Sequence, residues 1–249
     1  MLVIKNSPAA FIPKLKALII SDLHLGLEYE LFRKGITIQP QAEIFAKDIK
    51  KLIKITKAKR LIILGDLKHE VPGLSKREEI KIPELLNEIK SLVKIDVVKG
   101  NHDTFLEEIL PEKIKLHSSK GFKIKEYGFF HGHAWPSKNL MKCDKLFMGH
   151  LHPVVEFRDS LGYRAIEKVW IKGRLNQKLV KNRYKIKKTG KLEIMIFPAF
   201  NPLLGGIVVN STLKEGLIGP LISKKFLDIK NSKVYLLDGT FLGKVSWIT

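Results

Sequence analysis

Cysteine is almost absent from this chain: Cys143 stands alone among 249 residues. One thiol closes no intramolecular disulfide and builds no cysteine zinc cluster, so a disulfide-stapled secreted fold and a structural zinc module are both excluded. A reducing, cytoplasmic compartment fits. Cys143 has no base beside it in a recognisable pattern and reads as a small core hydrophobe rather than a nucleophile. Also missing is any run of about 18 apolar residues, the length a membrane span needs. The stretch Leu15 to Ile20 is broken by Lys16, and no targeting segment is read, so a soluble chain with no membrane partner is expected. Acids are scarce, with 25 Asp and Glu against 45 Lys and Arg, a formal charge of +20. Such a chain attracts polyanions and admits nucleic acid as a partner. A lysine- and isoleucine-rich, glutamine-poor composition also describes a heat-adapted (thermophile) protein, so charge alone does not choose. No Pro/Gly/Ser linker divides the chain, and 45% hydrophobic residues supply a sizeable core, which predicts a single domain over 1–249.

What is present alternates. Ala17 to Ile20 reads as a buried strand; apolar residues at helical spacing predict an amphipathic helix over Pro40 to Lys57. Leu61 to Leu64 is a second strand, Pro83 to Leu92 a second helix and Ile95 to Val98 a third strand. This is the βαβ pattern of a mostly parallel sheet. Strands then dominate: Gly121 to Phe130, Lys145 to Met148, Tyr163 to Ile171, Leu192 to Phe197, Gly206 to Val209, and a terminal pair, Lys233 to Leu237 and Phe241 to Ile248, around Asp238-Gly239. The expected fold is α/β, a two-sheet core flanked by helices.

Short polar motifs sit just beyond these apolar runs, in the order Ser21-Asp22-Leu23-His24, Gly65-Asp66, Gly100-Asn101-His102-Asp103, His131-Gly132-His133 and Gly149-His150-Leu151-His152. Loops at the carboxyl ends of strands are where open α/β sheets bind ligands. Imidazoles, carboxylates and an amide gathered there suit two divalent cations in a mixed N/O shell. Singly, each motif has a plainer reading: Asp22 as a loop cap, Asp66 as a turn residue, Asn101 as the N-cap of a helix over Thr104 to Leu110. Together and in order they point to a hydrolytic two-metal site.

The order Asp-x-His, Gly-Asp, Gly-Asn-His-Asp, His, Gly-His-x-His resembles that of the calcineurin-like metallophosphoesterases, over roughly residues 17–153. Phe197-Pro-Ala-Phe-Asn-Pro-Leu-Leu-Gly-Gly206 is similar to a segment in the archaeal and bacterial branch of small phosphoesterases related to ligase-associated DNA-repair enzymes. The resemblance implies a four-layer α/β/β/α fold. It assigns one metal to Asp22, His24, Asp66 and His152 and a second to Asp66, Asn101, His131 and His150, with Asp66 bridging. It also implies Mn²⁺, or Fe²⁺, Zn²⁺, Ni²⁺ or Co²⁺, and in-line attack of metal-bound hydroxide on phosphorus. His102 would act at the leaving oxygen as general acid or electrostatic stabiliser, oriented by Asp103. A DNA-repair partner such as a helicase or ligase follows from the same branch.

Other residues carry weaker signals. His133 reads as a substrate-side group, His69 as facing substrate or solvent, and His117 as a surface residue. Trp135-Pro136 reads as a wall of the cleft or as plain core. Lys172 to Lys191 holds nine cations (Lys172, Arg174, Lys178, Lys181, Arg183, Lys185, Lys187, Lys188, Lys191), Tyr184 and no acid. On an exposed strand or loop, Lys181, Arg183, Lys185 and Lys187 would track a phosphodiester backbone while Tyr184 stacks a base; the plainer reading is a solvated lysine-rich loop. The sequence therefore predicts a metal-dependent phosphodiesterase acting on nucleic acid, a nuclease. The alternatives are a phosphomonoesterase or nucleotide pyrophosphatase on small molecules, and a protein-binding platform that has lost catalysis, against which the full motif set argues.

Overall fold

The computed structural model describes residues 2–210 and 218–248. Its first sheet holds six strands in chain order: β1 (Leu2–Val3), β2 (Ala10–Ile12), β3 (Ala17–Ile20), β4 (Arg60–Ile63), β5 (Lys94–Val98) and β6 (Lys115–His117). From β3 to β6 they run parallel. Parallel neighbours need long crossovers, supplied between β3 and β4 by α1 (Leu27–Arg33) and α2 (Gln41–Thr56), and between β4 and β5 by α3 (Lys76–Lys90). Phe45, Ile49 and Leu52 of α2 and Ile82, Leu86 and Ile89 of α3 cover the outer face formed by Leu18, Ile20, Leu61, Ile63 and Val97. The α3 helix begins well before the expected Pro83. A capping box, Ser75 with Glu78, nucleates it, and Pro83 is carried inside. The short α4 (Leu106–Ile109) precedes β6.

The second sheet holds β7 (Phe122–Ile124), β8 (Tyr127–Phe130), β9 (Lys145–Met148), β10 (Pro153–Arg158), β11 (Arg164–Arg174), β12 (Glu193–Ile196), β13 (Ile207–Val208), β14 (Lys233–Leu236) and β15 (Phe241–Lys244). Its order is β13-β10-β11-β12-β9-β8-β7, with the β14–β15 hairpin paired onto β11. β8, β9 and β12 are parallel. Between the sheets Ile19, Ile62 and Val98 meet Phe129, Phe147, Trp170 and Met195. The three aromatic rings are wholly buried, each worth roughly 2–3 kcal/mol. Leu221 and Ile222 of α6 (Pro220–Ser223) and Val180 of α5 (Gln177–Tyr184) cover the outer face of the second sheet. The result is the expected helix/sheet/sheet/helix order.

The basic segment departs from expectation. Asn176 caps a helix there, its side chain accepting from Lys178 N and Leu179 N, so Lys178, Lys181 and Arg183 lie on α5 rather than on a strand or loop. Lys172 and Arg174 belong to β11 instead, so the run of cations is split between two surfaces. Among the described residues no helix is long and apolar enough to cross a membrane.

Candidate metal centre

The motif loops leave the carboxyl ends of β3, β4, β5, β8 and β9 and are zipped together by their own backbones. Asp22 N donates to Gly65 O (3.1 Å), His24 N to Asp66 O (2.9 Å) and Gly149 N to His131 O (2.9 Å). Asp22 (φ 56°), His24 (43°), Asp66 (48°), His150 (69°) and His152 (45°) all adopt left-handed backbone. That conformation costs a non-glycine residue about 1 kcal/mol or more. Such strain persists because the turns aim side chains inward. Two motif glycines are explained by closeness alone. A Cβ on Gly100 would lie 2.1 Å from Asp66 Oδ1, and one on Gly149 2.0 Å from Ser21 Oγ.

Three groups of ligand-type atoms result, each within 4.8 Å: Asp22, His24, Asp66 and His152; Asp66, His131 and His150; and His24, His69 and His102, which holds no carboxylate. The first two share Asp66. Its Oδ2 is 3.4 Å from His24 Nε2 and 3.2 Å from His131 Nε2, while Asp22 Oδ1 is 3.2 Å from His152 Nε2. Asn101 Oδ1 lies 3.2 Å from His131 Nε2, beside the second group. His131 Nδ1 donates to Leu64 O (2.7 Å), so a neutral ring has only a lone pair to turn toward Asp66 and Asn101. The Nε2 atoms of His24 and His152 are buried without a hydrogen-bond partner. With those two rings neutral, their nitrogen lone pairs converge on carboxylate oxygens, an arrangement that a cation satisfies.

The electrostatics agree. Burial opposes ionisation of Asp66, but His131 and His24 outweigh it and hold the carboxyl below the ordinary range. Burial likewise opposes charge on His131, yet Asp66, Asp22 and the Leu64 carbonyl raise it to about 9. Burial and then His131 push His150 down to about 3 and His133 to about 4, leaving both rings neutral.

His102 N donates to Asp66 Oδ1 (2.9 Å), and its Nδ1 lies 2.7 Å from His69 O. Asp103 does not orient this ring, contrary to expectation. Its buried carboxylate turns back into the loop and accepts from Gly100 N (2.8 Å), Leu67 N (2.9 Å) and Lys68 N (3.3 Å), stapling two motif loops together. Burial, then Asp66, raises Asp103 to about 6.

His69 is partly buried, its ring held between two side chains. Its Nε2 lies 2.6 Å from Glu30 Oε2, and its Nδ1 lies 3.2 Å from His24 Nδ1. With Nε2 donating to Glu30, neutral His69 accepts at Nδ1. His24 then donates from Nδ1 and keeps its Nε2 lone pair toward Asp66. Glu78 holds this loop by accepting from His69 N and Glu70 N, both at 2.9 Å. Nothing in the sequence marked Glu30. Asn201 was also missed as a support: it is buried, donates from Nδ2 to Leu23 O (2.8 Å) and braces the first motif loop. Lys168 secures that brace by donating to Ala199 O (2.9 Å) and Asn201 O (2.5 Å).

His133 is half-buried, its ring 5.2 Å from His131 and 5.9 Å from His150, with Nδ1 lacking a partner. Trp135 packs edge-on against Phe226 at 4.9 Å and under the Arg183 guanidinium at 3.3 Å, and Tyr184 Oη donates to Pro136 O (2.6 Å). The basic helix is thereby docked on the loop that follows His131-Gly132-His133. Lys181, Lys185 and Lys187 are exposed there, whereas Arg183 is committed to Trp135. His117 is not a surface residue. It pairs with buried Asp96 (2.7 Å) and stacks on Phe122 at 3.6 Å. Cys143 is buried, as expected.

The family model described as calcineurin-like phosphoesterase matches residues 15–235. No curated protein matches the chain in sequence. Among solved structures, the nuclease MPE of Pseudomonas putida superposes with a TM-score of 0.56 at 17% identity, over 94% of this chain and 92% of that one. Yfce, a phosphoesterase from E. coli, gives a TM-score of 0.39 at 20% identity, over 94% and 99%. At these identities the first likeness is one of fold.

Proposed function

The chain belongs to the calcineurin-like phosphoesterase family, hydrolases acting on ester bonds, and from that premise we propose that it is a two-metal phosphodiesterase whose substrate is nucleic acid. The observation that carries the two-metal reading is Asp66 Oδ2, which faces Nε2 of His24 at 3.4 Å and of His131 at 3.2 Å, so that one carboxylate oxygen is common to both groups. Asp22, His24, Asp66 and His152 would hold one ion; Asp66, Asn101, His131 and His150 the other. Imidazole, carboxylate and amide together suit Mn²⁺, with Fe²⁺, Zn²⁺, Ni²⁺ and Co²⁺ as chemical equivalents. When bound, two dications supply Lewis acidity and leave the pocket at roughly +2 against the two aspartates, which draws in a phosphate ester.

The remaining work falls to the chain's own groups. The His69 carbonyl fixes the His102 ring through Nδ1, leaving Nε2 as the atom that hands a proton to the leaving oxygen. Asp103 sets the turn that carries it. His133, kept neutral beside the second group, lies where substrate would enter. Nucleic acid is favoured because the exposed cations of α5 and of the turn after it, Lys181, Lys185 and Lys187, flank the loop after His133, so a polyanion held at the metal pocket would continue along them.

Metal-stripped protein assayed with each cation against monoester, diester, single-stranded and double-stranded substrates tests this reading. Diester and nucleic-acid hydrolysis restored by Mn²⁺ and poorly by Mg²⁺ is expected, since Mg²⁺ prefers oxygen and retains its waters. Activity that persists in chelator, or is confined to monoesters, would overturn it.

A further inference from the structure

The edge of the second sheet opposite the motif loops carries a feature that phosphoester hydrolysis at those loops does not use. Along β9, β11, β12 and β14 the inward-facing positions read Phe147, Trp170, Met195 and Tyr235 where the sheets pack. Two residues toward the far edge, on the same face, they become Lys145, Lys172, Glu193 and Lys233. These residues line an open cleft of about 570 Å³, together with Arg174 and Asn231. Lys172 lies directly opposite Lys233, and Lys233 directly opposite Lys244, so three lysines stand in one row across three adjacent strands. Like charges directly opposite one another destabilise a sheet. Among the described residues, the cleft's one ion pair joins Arg174 to Glu193 at 3.2 Å, so Lys172 and Lys233 have no acid within ion-pair distance, while Lys145 stands opposite Glu193 in the β9–β12 register. The Lys172 ammonium is held over the Tyr235 ring at 4.5 Å. Burial, then Lys145 and Lys233, keep Lys172 below the ordinary lysine range, as expected for crowded cations that lack a counter-ion.

We propose that this cleft binds a small polyphosphate, a nucleoside di- or triphosphate or its inorganic counterpart, through Lys145, Lys172 and Lys233. Its volume is that of a small-molecule pocket, about 300–1,000 Å³, rather than of an extended track. Lysine ammoniums offer compact point charges to phosphate oxygens, and the half-buried Tyr235 ring gives a flat group an apolar surface.

The test uses full-length protein in chelator, which keeps the metal pocket from competing, and titrates pyrophosphate, a nucleoside triphosphate and a short single-stranded oligonucleotide at fixed ionic strength. The double variant Lys172→Gln/Lys233→Gln should bind pyrophosphate and the triphosphate at least tenfold more weakly. A control, Lys178→Gln/Lys181→Gln on α5, should bind them like the parent. Without ligand the double variant should unfold at the same denaturant concentration as the parent or higher, because the facing charges are gone; this shows that lost binding is not lost folding. Unchanged pyrophosphate affinity in the double variant would overturn the site. So would equal loss in the α5 control, or a loss confined to the oligonucleotide, which would make the row part of a backbone track. Weakening of pyrophosphate and triphosphate alike assigns recognition to the phosphates; weakening of the triphosphate alone overturns it.

Discussion

Replacing His69 by Phe removes one imidazole that touches no substrate in this account, yet it should weaken metal binding at one of two sites. His69 Nδ1 is the partner of His24 Nδ1 at 3.2 Å, and Glu30 fixes its tautomer from 2.6 Å. Without that acceptor, His24, only 3% exposed, must bury an unpaired N–H. The cost is about 1–3 kcal/mol. The ring can instead move its proton to Nε2 and donate to Asp66 Oδ2, 3.4 Å away, which removes the lone pair the metal needs. Either route corresponds to a 10- to 100-fold loss, the size expected when the partner of a ligating histidine is deleted. Competition titration of Mn²⁺ against a fluorescent chelator resolves the two sites. The first should weaken by that factor in His69→Phe, and by less in Glu30→Gln, which keeps an acceptor, while the second stays within about threefold. Parent-like affinity in His69→Phe, or equal weakening of both sites, would refute the tautomer argument.

Three further outcomes follow from the same geometry. His102→Ala should retain its metals by elemental analysis while losing about 10²- to 10⁴-fold in rate, most for esters with poor leaving groups. Exchanging Lys178, Lys181, Lys185 and Lys187 for Gln, and sparing the stacked Arg183, should flatten the salt dependence of duplex DNA binding by up to roughly three or four units of slope and leave a small chromogenic diester untouched. Burial holds Lys168 at about 8, against 10.5 for the free side chain. Between those values the unfolded chain carries the extra proton, so this group makes stability rise with pH over that window and contributes no slope on either side. Urea unfolding of the parent should therefore gain on Lys168→Met from pH 8 to 10.5, by at most about 3 kcal/mol.

The clustering of the motif residues was legible in sequence because each is a short polar signature directly after an apolar strand, and strand ends are where a parallel sheet gathers its loops. The βαβ alternation gave the first sheet for the same reason. Contacts that depend on tertiary placement were not legible. Glu30 meets His69 from 39 positions away, and no local pattern announces it. Asp103 follows His102 directly, but adjacency says nothing about direction, and its side chain turns back to three backbone amides. The basic segment hid two structures. Asn176 caps a helix whose only fully buried residue is Val180, too little for an apolar stripe, and strand alternation sends Lys172 to the far edge of the sheet. The early start of α3 rests on Ser75 and Glu78, a capping box that the nearby Pro83 overshadowed.

The central claim is that one carboxylate, Asp66, joins two cation sites. Metal content per chain, measured after equilibration with Mn²⁺ and gel filtration, tests it most directly in the parent and in Asp66→Asn. The account predicts two ions per parent chain and loss of both in the variant, because the same Oδ2 faces His24 and His131. A parent that holds a single ion, or a variant that firmly keeps one of two, would contradict it.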